Sequence, residues 1–293
     1  MNTIDASTRL VALIGSPVSH SLSPAIHNAA FSAAGLNLRY LSFDVPPVAL
    51  ESAVAGLRSL GAVGANVTIP LKRDVARFVD SLSPVARATG AVNTLVFRAD
   101  GTSRIRVEGD NTDVAGFVRS LDPHREGLIG KPVLVLGAGG AARAVIYALA
   151  RQHAPDSITI AARSRQSILS LMRQFEKRGI VIDAVPFDQA SAVAAHAALV
   201  VNTTPVGMYP DVDASPVADG AIADGQIVYD LVYNPTETRL LRESRAHGAT
   251  AIGGTDMLLA QAAESFRLWT GVEMPALAAR DALEGAIQPR LKA

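Results

Sequence analysis

The chain has no cysteine, a single tryptophan and no excess of either charge. Without thiols, disulfide frameworks, thiolate nucleophiles and cysteine metal sites are excluded, and a reducing, cytoplasmic setting is expected. Lysine plus arginine and aspartate plus glutamate number 27 each, so no basic field gathers nucleic acid and no polybasic segment addresses a membrane. The opening MNTIDASTRL lacks the basic start and apolar core of a secretory signal. The longest apolar run, Ala192 to Val201, carries His196 and is too short to span a bilayer. His20 and His27 lie seven apart with no carboxylate at ligand spacing, so no metal is expected. A small-molecule partner is what these exclusions leave. With 49% apolar and 18% charged among 293 residues, the chain can bury one large core or two medium ones.

The central stretch is VLVLGAGGAAR, Val133 to Arg143, an apolar run that breaks into glycines and restarts as a helix. Gly137, Gly139 and Ala142 stand at the spacing of a GxGxxA dinucleotide fingerprint. Glycine there permits positive φ and close approach of a ligand, and the new helix offers unpaired N–H groups to a phosphate. Gly137, Ala138, Gly139, Gly140 and Ala141 are therefore expected to cradle a pyrophosphate.

Around this turn the pattern alternates strand and helix. Strands are expected at 133–136, 158–161, 180–185, 199–202, 227–230 and 250–252, and helices at 141–152, 166–178 and 236–247. Such alternation implies parallel strands with right-handed crossovers, a doubly wound sheet of about six strands. At the end of the second strand, where an acidic residue would hold the ribose of NAD, the chain has Arg163, Ser164 and Arg165. Two guanidinium groups suit a 2′-phosphate, so NADP is expected, with NAD as a weaker alternative. NTTPVGMYP, from Asn202 to Pro210, follows a strand on the face where a dinucleotide lies, and contributes Thr203 and Met208. Tyr233 closes the strand region YDLVYNP, as a core ring or as a group reaching a ligand. The segment 122–130 reads as a linker.

The first hundred residues read as an α/β unit. Strands are expected at 10–14, 38–45 and 63–67, with helices at 24–34 and 48–60. Ser23 before Pro24 reads as a helix N-cap, and the hydroxyl-rich loop around Ser19 and Ser21 also suits a small oxyanion. Asn66, Thr68 and Lys72 gather after a strand, with Lys72 opening a polar helix. AVNTLVFR and RIRVEGD flank Asp100 and Gly101 as a hairpin, with Asn93 inside its first strand. In the following GDNTD, Asp113 serves either as a helix cap or as a catalytic carboxylate. Two closing helices, the first carrying Gln261, are expected to return to this unit.

Carrying SHSLSPAIHN, GANVTIPLK, AVNT, GDNTD, GAGGAAR, NTTPVGM and MLLAQAA in this order, the chain resembles the shikimate dehydrogenase family over nearly its whole length. That resemblance implies an N-terminal α/β substrate domain, residues 1–112 plus 254–293, a Rossmann-like doubly wound NADP-binding domain, 113–253, and a cleft between them. It implies Lys72 and Asp113 as the catalytic pair, Ser21 and Ser23 on the substrate carboxylate, and Asn66, Thr68, Asn93 and Gln261 on the ring hydroxyls, with Tyr233 near the substrate. It places Met208 in the cofactor-loop block, and Gly254 joins the expected cofactor contacts. The implied reaction is reversible reduction of 3-dehydroshikimate to shikimate by a monomer or homodimer, a step of aromatic amino acid (chorismate) biosynthesis. A quinate or quinate/shikimate dehydrogenase is the alternative within the family, and a non-catalytic small-molecule binding protein the alternative outside it. The chain departs from the family in having Ala162 before Arg163 and Ser164, and Gly253, Gly254, Thr255 and Asp256 before the closing helix.

Overall fold

A computed structural model describes residues 4–101 and 104–287. The chain divides into two compact units: one runs to Gly116 and resumes at Leu259, and the other spans Phe117–Leu258. Two helices carry the crossings, α4 (Asp113–Leu121) and α9 (Thr255–Thr270). Asp122–Leu128, expected as a linker, instead forms a 3₁₀ helix, because Leu128 is fully buried and draws the segment onto the fold.

The first unit is built on a mixed six-stranded sheet of order β2-β1-β3-β5-β6-β4. Its strands are β1 (Arg9–Gly15), β2 (Leu38–Asp44), β3 (Gly64–Val67), β4 (Ser81–Leu82), β5 (Thr94–Ala99) and β6 (Ile105–Asp110). β1 runs parallel to β2 and β3, while β5 is antiparallel to both β3 and β6. The sheet carries α1 (Ser23–Ala33), α2 (Leu50–Ser59) and α3 (Pro84–Thr89), the last capped by Ser83. Val11, Ala12, Leu13 and Ile14 of β1 are buried in succession, the unbroken pattern of a strand covered on both faces. Part of α9 seals one side, with Phe266 stacked on Phe31 and Trp269 Nε1 donating to Leu95 O at 3.0 Å. Gly64 admits that indole, since a Cβ there would lie 2.1 Å from Trp269 Nε1. The last helix, α10 (Ala276–Ile287), packs on α1.

Three local expectations change here. Ser23 is the first helical residue of α1 and not its cap, and its N–H is taken by Ser21 Oγ at 3.2 Å. Lys72 lies in a turn before a short 3₁₀ helix, Asp74–Arg77, because Val92 N donates to Lys72 O at 2.7 Å and removes that carbonyl from helix bonding. Asn93 immediately precedes β5, its carbonyl accepting Val67 N at 2.8 Å.

The second unit is a wholly parallel six-stranded sheet of order β12-β11-β10-β7-β8-β9. Its strands are β7 (Pro132–Leu136), β8 (Ser157–Ala162), β9 (Asp183–Pro186), β10 (Leu199–Asn202), β11 (Ile227–Asp230) and β12 (Thr250–Ile252). Helices α5 (Gly140–Ala148), α6 (Arg165–Glu176), α7 (Ala190–Ala194) and α8 (Arg239–Ala246) connect them. The strand count matches the sequence expectation, whereas the five-residue α7 lies where the sequence shows only an apolar run. α5 also ends earlier than expected and passes into a π turn, Leu149–His153, stopped by Ala154 at φ +42°. Strand order reverses between β7 and β10, the switch point where ligands of open α/β sheets bind.

Candidate active site

In the first unit, backbone pairing sets three polar segments side by side: the turn after β3, the residues before β5 and the start of α4. Lys72 Nζ donates to Asp113 Oδ2 at 2.6 Å, and Asn93 Nδ2 donates to Asp113 Oδ1 at 2.8 Å. Both side chains of the pair are largely buried, at 16% and 8% exposure. That matters, because an ion pair withdrawn from water interacts far more strongly than one on the surface. Asp113 is also the first residue of α4, where the helix dipole favours a negative charge. Lys72 retains hydrogens beyond the one Asp113 takes, so it can hold a carbonyl oxygen or pass it a proton.

Behind the pair lies a buried hydroxyl and amide network. Asn93 Oδ1 accepts from Thr112 N at 2.8 Å and from Thr94 Oγ1 at 2.9 Å. Ser265 Oγ on α9 meets Thr94 Oγ1 at 2.9 Å, Thr112 Oγ1 at 3.1 Å and Asn66 Nδ2 at 3.1 Å. Asn66 Oδ1 in turn accepts from Tyr40 OH at 2.8 Å. Both N–H groups of Asn66 and of Asn93 are thus engaged by the protein, which fixes the two amides' orientation. Tyr40 is stacked on His27, ring centroids 4.6 Å apart, and burial pushes that imidazole down to about 3, so it is neutral.

Sequence reasoning missed Tyr40, Thr94, Thr112 and Ser265 as members of this network. A signal for Ser265 was available: it lies four residues after Gln261 and shares its helix face. Of the remaining expected substrate residues in this unit, Ser23 and Gln261 are buried, and Ser21 and Thr68 are half-buried. Tyr233 belongs to the second unit, half-buried after β11.

In the second unit the glycine turn after β7 and the loop after β10 meet at the switch point. Gly137 has φ +109°, and a Cβ there would lie 2.6 Å from Thr203 Oγ1, so the turn after β7 closes onto the loop after β10 only with glycine. Thr203 Oγ1 donates to Leu136 O at 2.6 Å, joining the two strand ends. Gly139 is the N-cap of α5 and has open space around its Cα, so a phosphate can approach the helix N–H groups. This cradle fits a dinucleotide pyrophosphate. Arg163 and Arg165 are exposed at the end of β8 and the start of α6, and Ser164 between them caps α6 by accepting Ser167 N at 3.2 Å. Gly254 is buried, and a Cβ there would lie 2.4 Å from Leu231 O. Among the described residues no group of three or more His, Asp or Glu could hold a metal, and no helix is long and apolar enough to cross a membrane.

A parallel sheet of this order with its glycine turn at the switch point is the frame of a nicotinamide-dependent dehydrogenase. Residues 13–95 match the shikimate dehydrogenase substrate binding domain and 254–284 the shikimate 5'-dehydrogenase C-terminal domain, while 133–252 match a saccharopine dehydrogenase NADP binding domain. The shikimate dehydrogenase (NADP(+)) of Salinibacter ruber is 48% identical over 287 residues, covering 96% of this chain and 98% of that protein. A crystal structure of a shikimate dehydrogenase in complex with NADP+ superposes with a TM-score of 0.87 at 37% identity, covering 97% of this chain and 98% of the other. The shikimate 5-dehydrogenase of Thermus thermophilus, solved with NADP(H) and shikimate, gives 0.80 at 38% identity over 95% and 99% of the two chains. The chain belongs to the shikimate dehydrogenase family.

Proposed function

We infer that the chain is an NADP-dependent shikimate dehydrogenase that interconverts 3-dehydroshikimate and shikimate. The observation that carries this reading is the Lys72 and Asp113 pair, 2.6 Å apart and largely buried, in a chain of this family. When bound, NADP supplies or accepts the hydride. Lys72 donates a proton to the carbonyl oxygen as negative charge develops there, and takes the hydroxyl proton in the reverse direction. Asp113 holds the ammonium in place, and Asn93 holds Asp113.

The substrate is a small ring with one carboxylate and three hydroxyls, which calls for short hydrogen-bonding side chains. Ser21 and Ser23 take the carboxylate. Thr68 and Gln261 meet the hydroxyls. Asn66 and Asn93, substrate contacts on the family resemblance, reach them only by exchanging one of the internal hydrogen bonds described above, and Tyr233 is a substrate contact on the same resemblance. Gly137 to Ala141, Thr203, Met208 and Gly254 line the pyrophosphate and nicotinamide side of the cofactor, and Arg163, Ser164 and Arg165 its 2′-phosphate. On this reading residues 1–112 plus 254–293 serve the substrate and 113–253 the cofactor, in a cytoplasmic monomer or homodimer.

Initial rates with shikimate and with quinate, each with NADP+ and NAD+, test the reading. Shikimate with NADP+ is expected to give the highest kcat/KM. Faster turnover of quinate with NAD+ makes the chain a quinate dehydrogenase, and tight binding of either acid without turnover removes the catalytic role.

A further inference from the structure

The second unit holds a buried carboxylate that the reaction itself does not use. Asp230, the last residue of β11, is fully buried, as are its neighbours Asn202 and Thr238. Its Oδ1 accepts from Asn202 Nδ2 at 2.9 Å and from Val232 N at 3.0 Å, and its Oδ2 accepts from Thr238 Oγ1 at 2.6 Å. Burying a carboxylate costs free energy that a neutral residue would not, so its position calls for a return elsewhere. Burial pushes its carboxyl up to about 6, against the three hydrogen bonds that favour the charged form.

Each of the three partners controls a different piece of backbone. Asn202 Oδ1 accepts from Thr204 N at 3.0 Å and from Thr204 Oγ1 at 2.7 Å, and its Nδ2 also donates to Val206 O at 3.2 Å. These backbone partners fix which end of the amide faces Asp230, and they shape the loop that contains Thr203 and Met208. Val232 N lies in the loop after β11 that carries Tyr233. Thr238 is the N-cap of α8, and its Oγ1 accepts Leu241 N at 3.3 Å. The two loops are joined again by the backbone, Leu231 N to Asn202 O and Tyr209 N to Asn234 O, both at 3.0 Å.

We propose that Asp230 is a positioning residue for the cofactor: it anchors the loop after β10 to the loop after β11 and to the start of α8, and so sets the shape in which Thr203 and Met208 meet NADP. The proposal rests on the reading that the β10 loop touches the cofactor. It concerns a residue that itself touches neither cofactor nor substrate. Neutral groups of similar shape would satisfy packing, but only an acceptor with both oxygens engaged serves three donors on three segments at once.

The test measures NADP+ affinity directly by calorimetry on the full chain, together with KM for NADP+, KM for shikimate and kcat. Asp230→Asn and Thr238→Val are expected to weaken NADP+ binding by about tenfold and to raise its KM in step, with KM for shikimate and saturating kcat nearly unchanged. Thr238→Ser, which keeps the hydroxyl, is expected to retain wild-type affinity. If Asp230→Asn does not fold, the contrast between valine and serine at position 238 decides. Unchanged NADP+ affinity in Thr238→Val, or equal losses in affinity for shikimate and NADP+, overturns the proposal. Met208→Ala separates it from the reading beneath: weakened binding there with no effect at 230 and 238 overturns the anchor alone. Unchanged binding in Met208→Ala and Thr203→Val removes the loop from the cofactor site, and the proposal with it.

Discussion

Lys72 and Asp113 form a 2.6 Å ion pair between residues forty-one positions apart, and the free oxygen of that carboxylate is held by Asn93 at 2.8 Å. Removing the ammonium is expected to act on the chemical step. Lys72→Ala should lower kcat by about a hundred- to ten-thousand-fold with a smaller change in KM for shikimate, the signature of an interaction made in the transition state. Steady-state kinetics in both directions check this, and a loss confined to KM would assign Lys72 to binding.

Arg163 and Arg165 are exposed and stand where a 2′-phosphate is expected. The double substitution Arg163→Ala, Arg165→Ala should raise KM for NADP+ by about tenfold or more and leave KM for NAD+ close to wild type. The ratio of kcat/KM for the two nicotinamides reads the effect. Equal losses with both would place the arginines away from the phosphate.

Gly137 has φ +109° and faces Thr203 Oγ1 across a gap that a Cβ would close to 2.6 Å. Gly137→Ala should cost about 1–3 kcal/mol of stability and weaken NADP+ binding, because the β7 turn and the β10 loop cannot both keep their places. Urea unfolding and calorimetry measure the two consequences.

His27 is fully buried against Tyr40 and Trp269, and burial lowers it from its ordinary 6.5 to about 3. Between those values the unfolded chain binds a proton that the native protein refuses. The stability of the neutral form is fully present above pH 6.5 and declines as pH falls toward 3, with a slope approaching about 1.4 kcal/mol per pH unit. The stability difference between the wild type and His27→Phe, followed by urea unfolding, should change with this slope between pH 6.5 and 5, because every other titrating group, Asp230 included, contributes equally to both. His153, lowered by burial, adds a slope of the same sign, and Asp230, raised to about 6, adds one of the opposite sign, in the wild type and the variant alike.

The central glycine turn and its alternating strands were legible because parallel strands buried on both faces are written as short apolar runs between polar helices. β10, β11 and β12 fall where the apolar runs Leu199 to Asn202, Ile227 to Asp230 and Thr250 to Ile252 predict them. Boundaries drifted where tertiary bonds overrode local pattern. The Lys72 carbonyl went to Val92 instead of to a helix, and Ser21, not Ser23, capped the first N–H of α1.

The sequence by itself determined which side chains are available: the glycines of the cradle, the two arginines, the serines, and a lysine and an aspartate. It also carried the family through blocks in order. Only the tertiary structure decided that Ser265 and Thr94, 171 positions apart, share a hydrogen bond, and that Asp230 holds Asn202 and Thr238 together. Periodicity reports which face of an element is buried, but a buried polar group is defined by the partner that satisfies it. That partner comes from another element, brought near by sheet order and helix packing, and no local pattern encodes the pairing.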